Sequence, residues 1–201
     1  MIAAAKTLKR HQPNILTYFS HGVSNATAEV LTVGHSTRSL EEFLQLLRIY
    51  DIRRLVDVRS IPRSRHNPQF NHEALSRALH SRRLHYRHLK DLGGLRHGKL
   101  NSPNVGWQNA SFRAFADYMQ TSAFEEALEE LIGLAAVERT VIMCAEAVPW
   151  RCHRSLIADA LTVRGTAVRH IFSPTQSKPH ALTPFARVRG LQVTYPGAND
   201  S

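Results

Sequence analysis

The run Val141-Ile142-Met143-Cys144-Ala145-Glu146, followed by Pro149-Trp150-Arg151-Cys152-His153-Arg154, constrains this chain more than any other stretch. A short apolar segment that stops abruptly at a thiol and a carboxylate reads as a buried strand feeding a loop. From Ser155 to Val163 the residues Leu156, Ile157, Ala160, Leu161 and Val163 give a helix-like apolar face. Strand, loop and helix N-terminus follow in that order, and both cysteines of the protein lie in this one unit.

The rest of the chain repeats the alternation. Glu29 to Gly34 predicts a first strand, stopped by glycine, and Ser39 with Glu41 and Glu42 predicts a capped helix start. Leu40, Phe43, Leu44, Leu46 and Leu47 supply that helix's apolar stripe through Tyr50. Ile52 to Val58 predicts a second strand with Asp57 and Arg59 at its end. Ser60 to Asn71 is basic and irregular, interrupted by Pro62 and Pro68. A helix over His72 to Ser81, a strand over Leu84 to Leu89, a glycine loop from Asp91 to Arg96 and an exposed loop from Lys99 to Asn109 follow. Helices are expected over Ser111 to Met119 and Ser122 to Ala136, a strand over Thr140 to Cys144, a helix over Cys152 to Arg164 and a last core strand over Ala167 to Phe172. Beyond Ser173 the chain is polar and proline-rich apart from Leu191 to Tyr195. The expectation is an α/β fold: a single Rossmann-like domain over residues 28–196, its largely parallel sheet flanked by helices, with residues 1–27 a loose N-terminal extension and 197–201 a tail. A length of 201 residues fits one such domain.

Composition narrows the surroundings. With 43% hydrophobic and 21% charged residues, and no apolar run of bilayer length, no membrane partner is expected. Lys6, Lys9, Arg10 and His11 interrupt any signal-peptide core, so a cytoplasmic location is expected, with both cysteines as free thiols. Lysine and arginine number 26 against 16 acidic residues, a net charge of +10. That balance points to an anionic partner, a nucleotide or nucleic acid.

In open α/β sheets ligands sit outside the carboxyl ends of the strands, and polar residues accumulate there in this chain. His35 follows the first strand, Asp57 and Arg59 the second, and Cys144 and Glu146 the strand from Thr140. Cys152, placed in the first helical turn beside Arg151, His153 and Arg154, is the candidate for a low-pKa thiol, and Cys144 the better-placed pocket residue. A cysteine-phosphatase reading fails on spacing, because six residues separate Cys144 from Arg151 and the loop has no glycine. Nor does any spacing of Cys144, Cys152, His153, His85 and His88 match a zinc-ligand pattern, so no metal is expected, and nothing names a cofactor. The basic loop carrying Arg63 and Arg65 suits a phosphate backbone, with Phe70 or Tyr86 stacking on a base.

Several of these segments together resemble the uncharacterised bacterial and archaeal family called domain of unknown function 488. They are Thr32-Val33-Gly34-His35-Ser36, Leu55-Val56-Asp57-Val58-Arg59 with Pro62-Arg63-Ser64, Leu92-Gly93-Gly94, Cys144-Ala145-Glu146, Cys152-His153-Arg154 and the ending Pro179 to Ala186 with Leu191 to Pro196. The resemblance implies a compact α/β domain and a site made of His35, Asp57, Arg59, Cys144, Glu146, Cys152, His153 and Arg154; it carries no reaction. The functional expectation is an enzyme acting on a nucleotide or nucleic acid. In it Arg59 and Arg63 hold phosphate, His35 or Glu146 serves as general acid or base, and Cys144 or Cys152 is the nucleophile or redox-sensitive group. A non-catalytic nucleic-acid-binding module and a purely structural polar cluster are the alternatives. Oligomeric state is not legible.

Overall fold

The computed structural model describes residues 29–197. The expected extension over residues 1–27 and positions 198–201 of the expected tail lie outside the described residues. The elements in chain order are β1 (Glu29–Gly34), α1 (Leu40–Ile49), β2 (Arg54–Asp57), α2 (His72–His80), β3 (His85–His88), α3 (Ala110–Tyr118), α4 (Ser122–Val137), β4 (Thr140–Cys144), α5 (Arg154–Val163), β5 (Ala167–Ser173), β6 (Gln176–Pro179), β7 (Arg187–Arg189) and β8 (Gln192–Thr194).

The first six strands form one sheet in the order β3-β2-β4-β1-β5-β6, parallel throughout except for β6, which runs antiparallel on the edge beside β5. An α/β fold with a largely parallel sheet is what the alternation predicts. The order places β4 between β2 and β1, whereas the dinucleotide-binding arrangement keeps its first two strands adjacent. Period-two alternation assigns the sheet residues to two cores. Leu31, Val33, Leu55, Val141 and Met143 face α1 and α2, with Phe43, Leu47, Phe70, Leu75 and Leu79 packed on them. Val30, Val56, Ile142 and Cys144 face α3, α4 and α5 on the other side. The central strands β1 and β4 are apolar on both faces because both faces are covered.

Helix starts follow from local chemistry. Ser39 and Glu42 form a reciprocal capping box on α1. Asn109 and Thr121 cap α3 and α4 through their side-chain oxygens. Three local expectations change. The helix expected from Cys152 begins at Arg154: Pro149 starts a short 3-10 turn over Pro149–Arg151, and Cys152 follows in extended conformation, two residues before the helix. The loop expected to be exposed holds fully buried Asn104, whose amide donates to Asp117 and whose carbonyl oxygen accepts from the Tyr195 backbone N–H. The C-terminal stretch forms β6 and the β7–β8 hairpin. No helix of the described residues is long and apolar enough to cross a membrane.

Candidate active site

Register brings the strand ends level. Gly34 pairs with Cys144, Asp57 with Met143, and Asp57 with His88 on its other side. Two further parallel-type bonds carry the ladder past the strands: His35 N–H to the Cys144 carbonyl at 3.0 Å, and Ser36 N–H to the Ala145 carbonyl at 2.9 Å. Gly34 permits this crossing, since a Cβ there would lie 1.8 Å from the Glu146 carbonyl oxygen.

The expected site residues divide into two groups on opposite faces of the sheet. On the α1/α2 face, Asp57 is fully buried and accepts from the Arg59 guanidinium through Nε at 2.9 Å and Nη2 at 2.6 Å, from the Arg59 backbone N–H, and from the Tyr86 hydroxyl at 2.9 Å. Arg59 Nη2 also donates to the Phe70 carbonyl, and Nη1 lies 3.5 Å from His35 Nε2. Burial works against the guanidinium charge, yet hydrogen bonding to Asp57 leaves its pKa above the ordinary value. His35 stacks on Phe70 at 4.2 Å and donates from Nδ1 to the Ser36 carbonyl. Its pKa falls to about 4, chiefly through burial, so the ring is neutral with Nε2 as acceptor. Burial and the Asp57 charge push the Tyr86 phenol far up. Phe70 and Tyr86 are thus structural partners of this network, and the Arg59 guanidinium is engaged inside the protein.

On the α3/α4/α5 face, Cys144 and Cys152 are 8% and 3% exposed, and their sulfurs and His153 Nδ1 all lie within 4.8 Å of one another. Cys152 Sγ is 3.7 Å from His153 Nδ1 and accepts from Arg154 Nε at 3.4 Å. The Cys144 thiol, as hydrogen-bond partner, lowers the Cys152 pKa well below the ordinary thiol value against the effect of burial, and His153 and Arg154 add to it. The same pairing, with burial, raises Cys144. Within the pair, ionisation is thus favoured at Cys152 and disfavoured at Cys144. His153 Nε2–H donates to the Val58 carbonyl at 2.9 Å, leaving Nδ1 toward the sulfur. A side chain at position 94 would meet the imidazole at 2.6 Å, so Gly94 lets the ring sit there.

Arg154 is itself buried, donating to the Glu146 carbonyl and to Thr32 Oγ1 at 3.5 Å. From Thr32 the bonds continue to His170 Nδ1 at 2.8 Å, from His170 Nε2 to His180 Nδ1 at 2.9 Å, and from His180 Nε2 to Asp159 Oδ1 at 2.8 Å. Because His180 Nε2–H donates to the carboxylate and the guanidinium is donor only, one direction satisfies every link, from Arg154 through to Asp159. Asp159 also accepts from the Thr183 backbone and hydroxyl and from the Tyr195 hydroxyl.

Glu146 and Arg151 are exposed, and with Trp107, Asn109, Phe112 and Trp150 they line a cleft of about 310 Å³. Trp150 is 63% exposed, and the buried indole N–H of Trp107 finds no partner among the described residues. Sequence reading misses this cleft: Trp107 lies in the stretch expected to be an exposed loop, and no spacing links it to Trp150. Exposed Arg63 lies on the loop between β2 and α2. His170, His180 and Asp159 are missed too, since nothing in the sequence marks contacts between positions so far apart.

No curated protein and no solved structure matches the chain at a significant level. The family model described as Domain of unknown function DUF488 matches residues 39–161. That span holds Asp57, Arg59, Arg63, Cys144, Glu146, Cys152, His153 and Arg154, while His35 precedes it. Covering well over half of a sheet-and-helix chain whose strand ends gather those residues, the match makes this protein a member of the Domain of unknown function DUF488 family.

Proposed function

We propose that the protein is an enzyme acting on a nucleotide or nucleic acid, which binds in the cleft beside the Cys144–Cys152 centre. The observation that carries the reading is the cleft's lining: three aromatic rings with an amide, a carboxylate and a guanidinium. Aromatic faces stack on bases of any sequence, the amide and carboxylate suit base edges, and Arg151 suits a phosphate. Glu146 and Arg151 border the cleft, and each lies within two residues of one of the cysteines. A net charge of +10 favours the same class of ligand. In this reading Arg151 and Arg63 meet phosphate, Glu146 is the exposed acid or base, and the Cys152 thiolate with His153 supplies the reactive centre. Asp57, Arg59 and His35 fix the strand ends.

The test is titration of short single-stranded oligonucleotides, and separately of mononucleotides, against intrinsic tryptophan fluorescence. Quenching that saturates, weakens with salt, and drops by about tenfold or more in W150A is expected, since one base stack is worth roughly 1–3 kcal/mol. R151A should lower both affinity and the salt slope. Unchanged affinity in W150A and R151A rejects the cleft as the ligand site. A binding module without catalysis is the second reading, favoured by the burial of both thiols; it predicts binding that C152S leaves intact and no turnover of any bound ligand.

A further inference from the structure

We propose that Cys144, Cys152 and His153 bind one zinc ion as a two-thiolate, one-imidazole set, with a fourth position left for water or a substrate group. The three donor atoms already lie within 4.8 Å of one another. Zinc bonds of about 2.3 Å to sulfur and about 2.0 Å to nitrogen, at tetrahedral angles, place a sulfur and a nitrogen ligand about 3.6 Å apart. The Cys152 Sγ to His153 Nδ1 distance is 3.7 Å.

The surroundings fit a ligand set as well as the distances do. A metal-bound histidine normally donates its other ring N–H to a carbonyl or carboxylate, which fixes the tautomer. His153 does so through Nε2 to Val58, which leaves the Nδ1 lone pair beside the sulfurs. Arg154 Nε donates to Cys152 Sγ, the kind of N–H···S bond that favours the thiolate a metal requires. Two thiolates balance the charge of a divalent ion beside that guanidinium. The donors stand on firm supports: Cys144 ends β4, and the His153 ring packs against Phe115 and close to the Gly94 backbone. Three protein ligands with a fourth place open is the arrangement of catalytic rather than structural zinc. The binding proposal stands on these residues alone; its catalytic meaning, a Lewis acid beside the cleft in place of a free Cys152 thiolate, rests on the ligand cleft proposed above.

The test uses the reduced full chain, stripped of metal with chelator and titrated with cobalt(II) as a spectroscopic stand-in. One equivalent should produce sulfur-to-cobalt charge-transfer absorption and the visible bands of four-coordinate cobalt, and zinc should bleach both. Zinc should also slow alkylation of both thiols in the unmutated protein, a readout that depends on no variant folding. C152S and H153Q should each weaken the ion by about a hundredfold or more, because even outer partners of a ligand cost tenfold to a hundredfold. Absence of the charge-transfer band at stoichiometric cobalt, its survival in the C144S/C152S double variant, or alkylation indifferent to zinc overturns the proposal. Oligonucleotide titration of the stripped protein separates the two readings. Retained oligonucleotide binding with no metal uptake removes the zinc site alone, and metal uptake with no ligand in the cleft removes the nucleotide reading alone.

Discussion

Asp57, the last residue of β2, has no exposed surface and takes hydrogen bonds from the Arg59 guanidinium, the Arg59 backbone and the Tyr86 hydroxyl. The arginine has no other carboxylate partner among the described residues. Replacing Asp57 with asparagine keeps the shape and removes the charge, leaving a guanidinium that is 6% exposed without its counter-ion. D57N is expected to cost about 3–5 kcal/mol, and Y86F, which removes one hydrogen bond, about 1 kcal/mol. Urea unfolding of the two variants checks this; a D57N loss no larger than that of Y86F would show that the ion pair does not hold the strand end. The pair also shows what one residue's sequence context conveys. That Asp57 and Arg59 end a strand is legible from the apolar run before them. Whether the guanidinium turns outward to a phosphate or back onto the carboxylate two residues away is not, because spacing says nothing of side-chain direction after a strand ends.

At the scale of elements, the loop after β4 crosses the end of β1 in backbone contact, and Gly34 is where it crosses. G34A puts a methyl group on the Glu146 carbonyl and should separate the two loops, dropping stability by several kcal/mol or preventing folding. Gly133 lies within α4, and a methyl group added there would meet nothing within 4 Å, so G133A should stabilise the protein by about 0.5–1 kcal/mol. Thermal melting of the pair checks both, and equal effects would contradict the assigned crossing. Elements with strong periodicity or caps, such as α1 and β4, are legible almost to the residue. Those governed by distant contacts are not. Cys152 falls outside α5 because Pro149 closes a 3-10 turn first. Asn104 is buried because Asp117 and Tyr195 meet it from elements that follow it in the chain.

For the molecule as a whole, acid sensitivity follows from two buried imidazoles. His35 and His170 are held at about 4 against an ordinary 6.5, both chiefly by burial. Between those values the unfolded chain takes up protons that the fold refuses, so stability falls as pH drops from 6.5 to 4 and this contribution levels off below. Each ring accounts for roughly 3 kcal/mol over the full window. Urea midpoints at pH 7 and pH 4.5 should show the loss, and H35F, which keeps a ring on Phe70, should show a shallower one. An identical pH dependence in H35F would exclude His35 as a source.

The hydrogen-bonded line from Arg154 through Thr32, His170 and His180 to Asp159 has a consequence for synthesis. Its far end is fastened by Thr183 and by Tyr195, the last buried residue of the described chain. A ribosome-bound chain that has not yet delivered residue 195 has β4, both cysteines and Arg154, but lacks the Tyr195 hydrogen bond on the Asp159 end of that line. The hydrogen-bonded surroundings of the thiol pair are therefore completed only by residues that follow all six strands of the sheet in the chain.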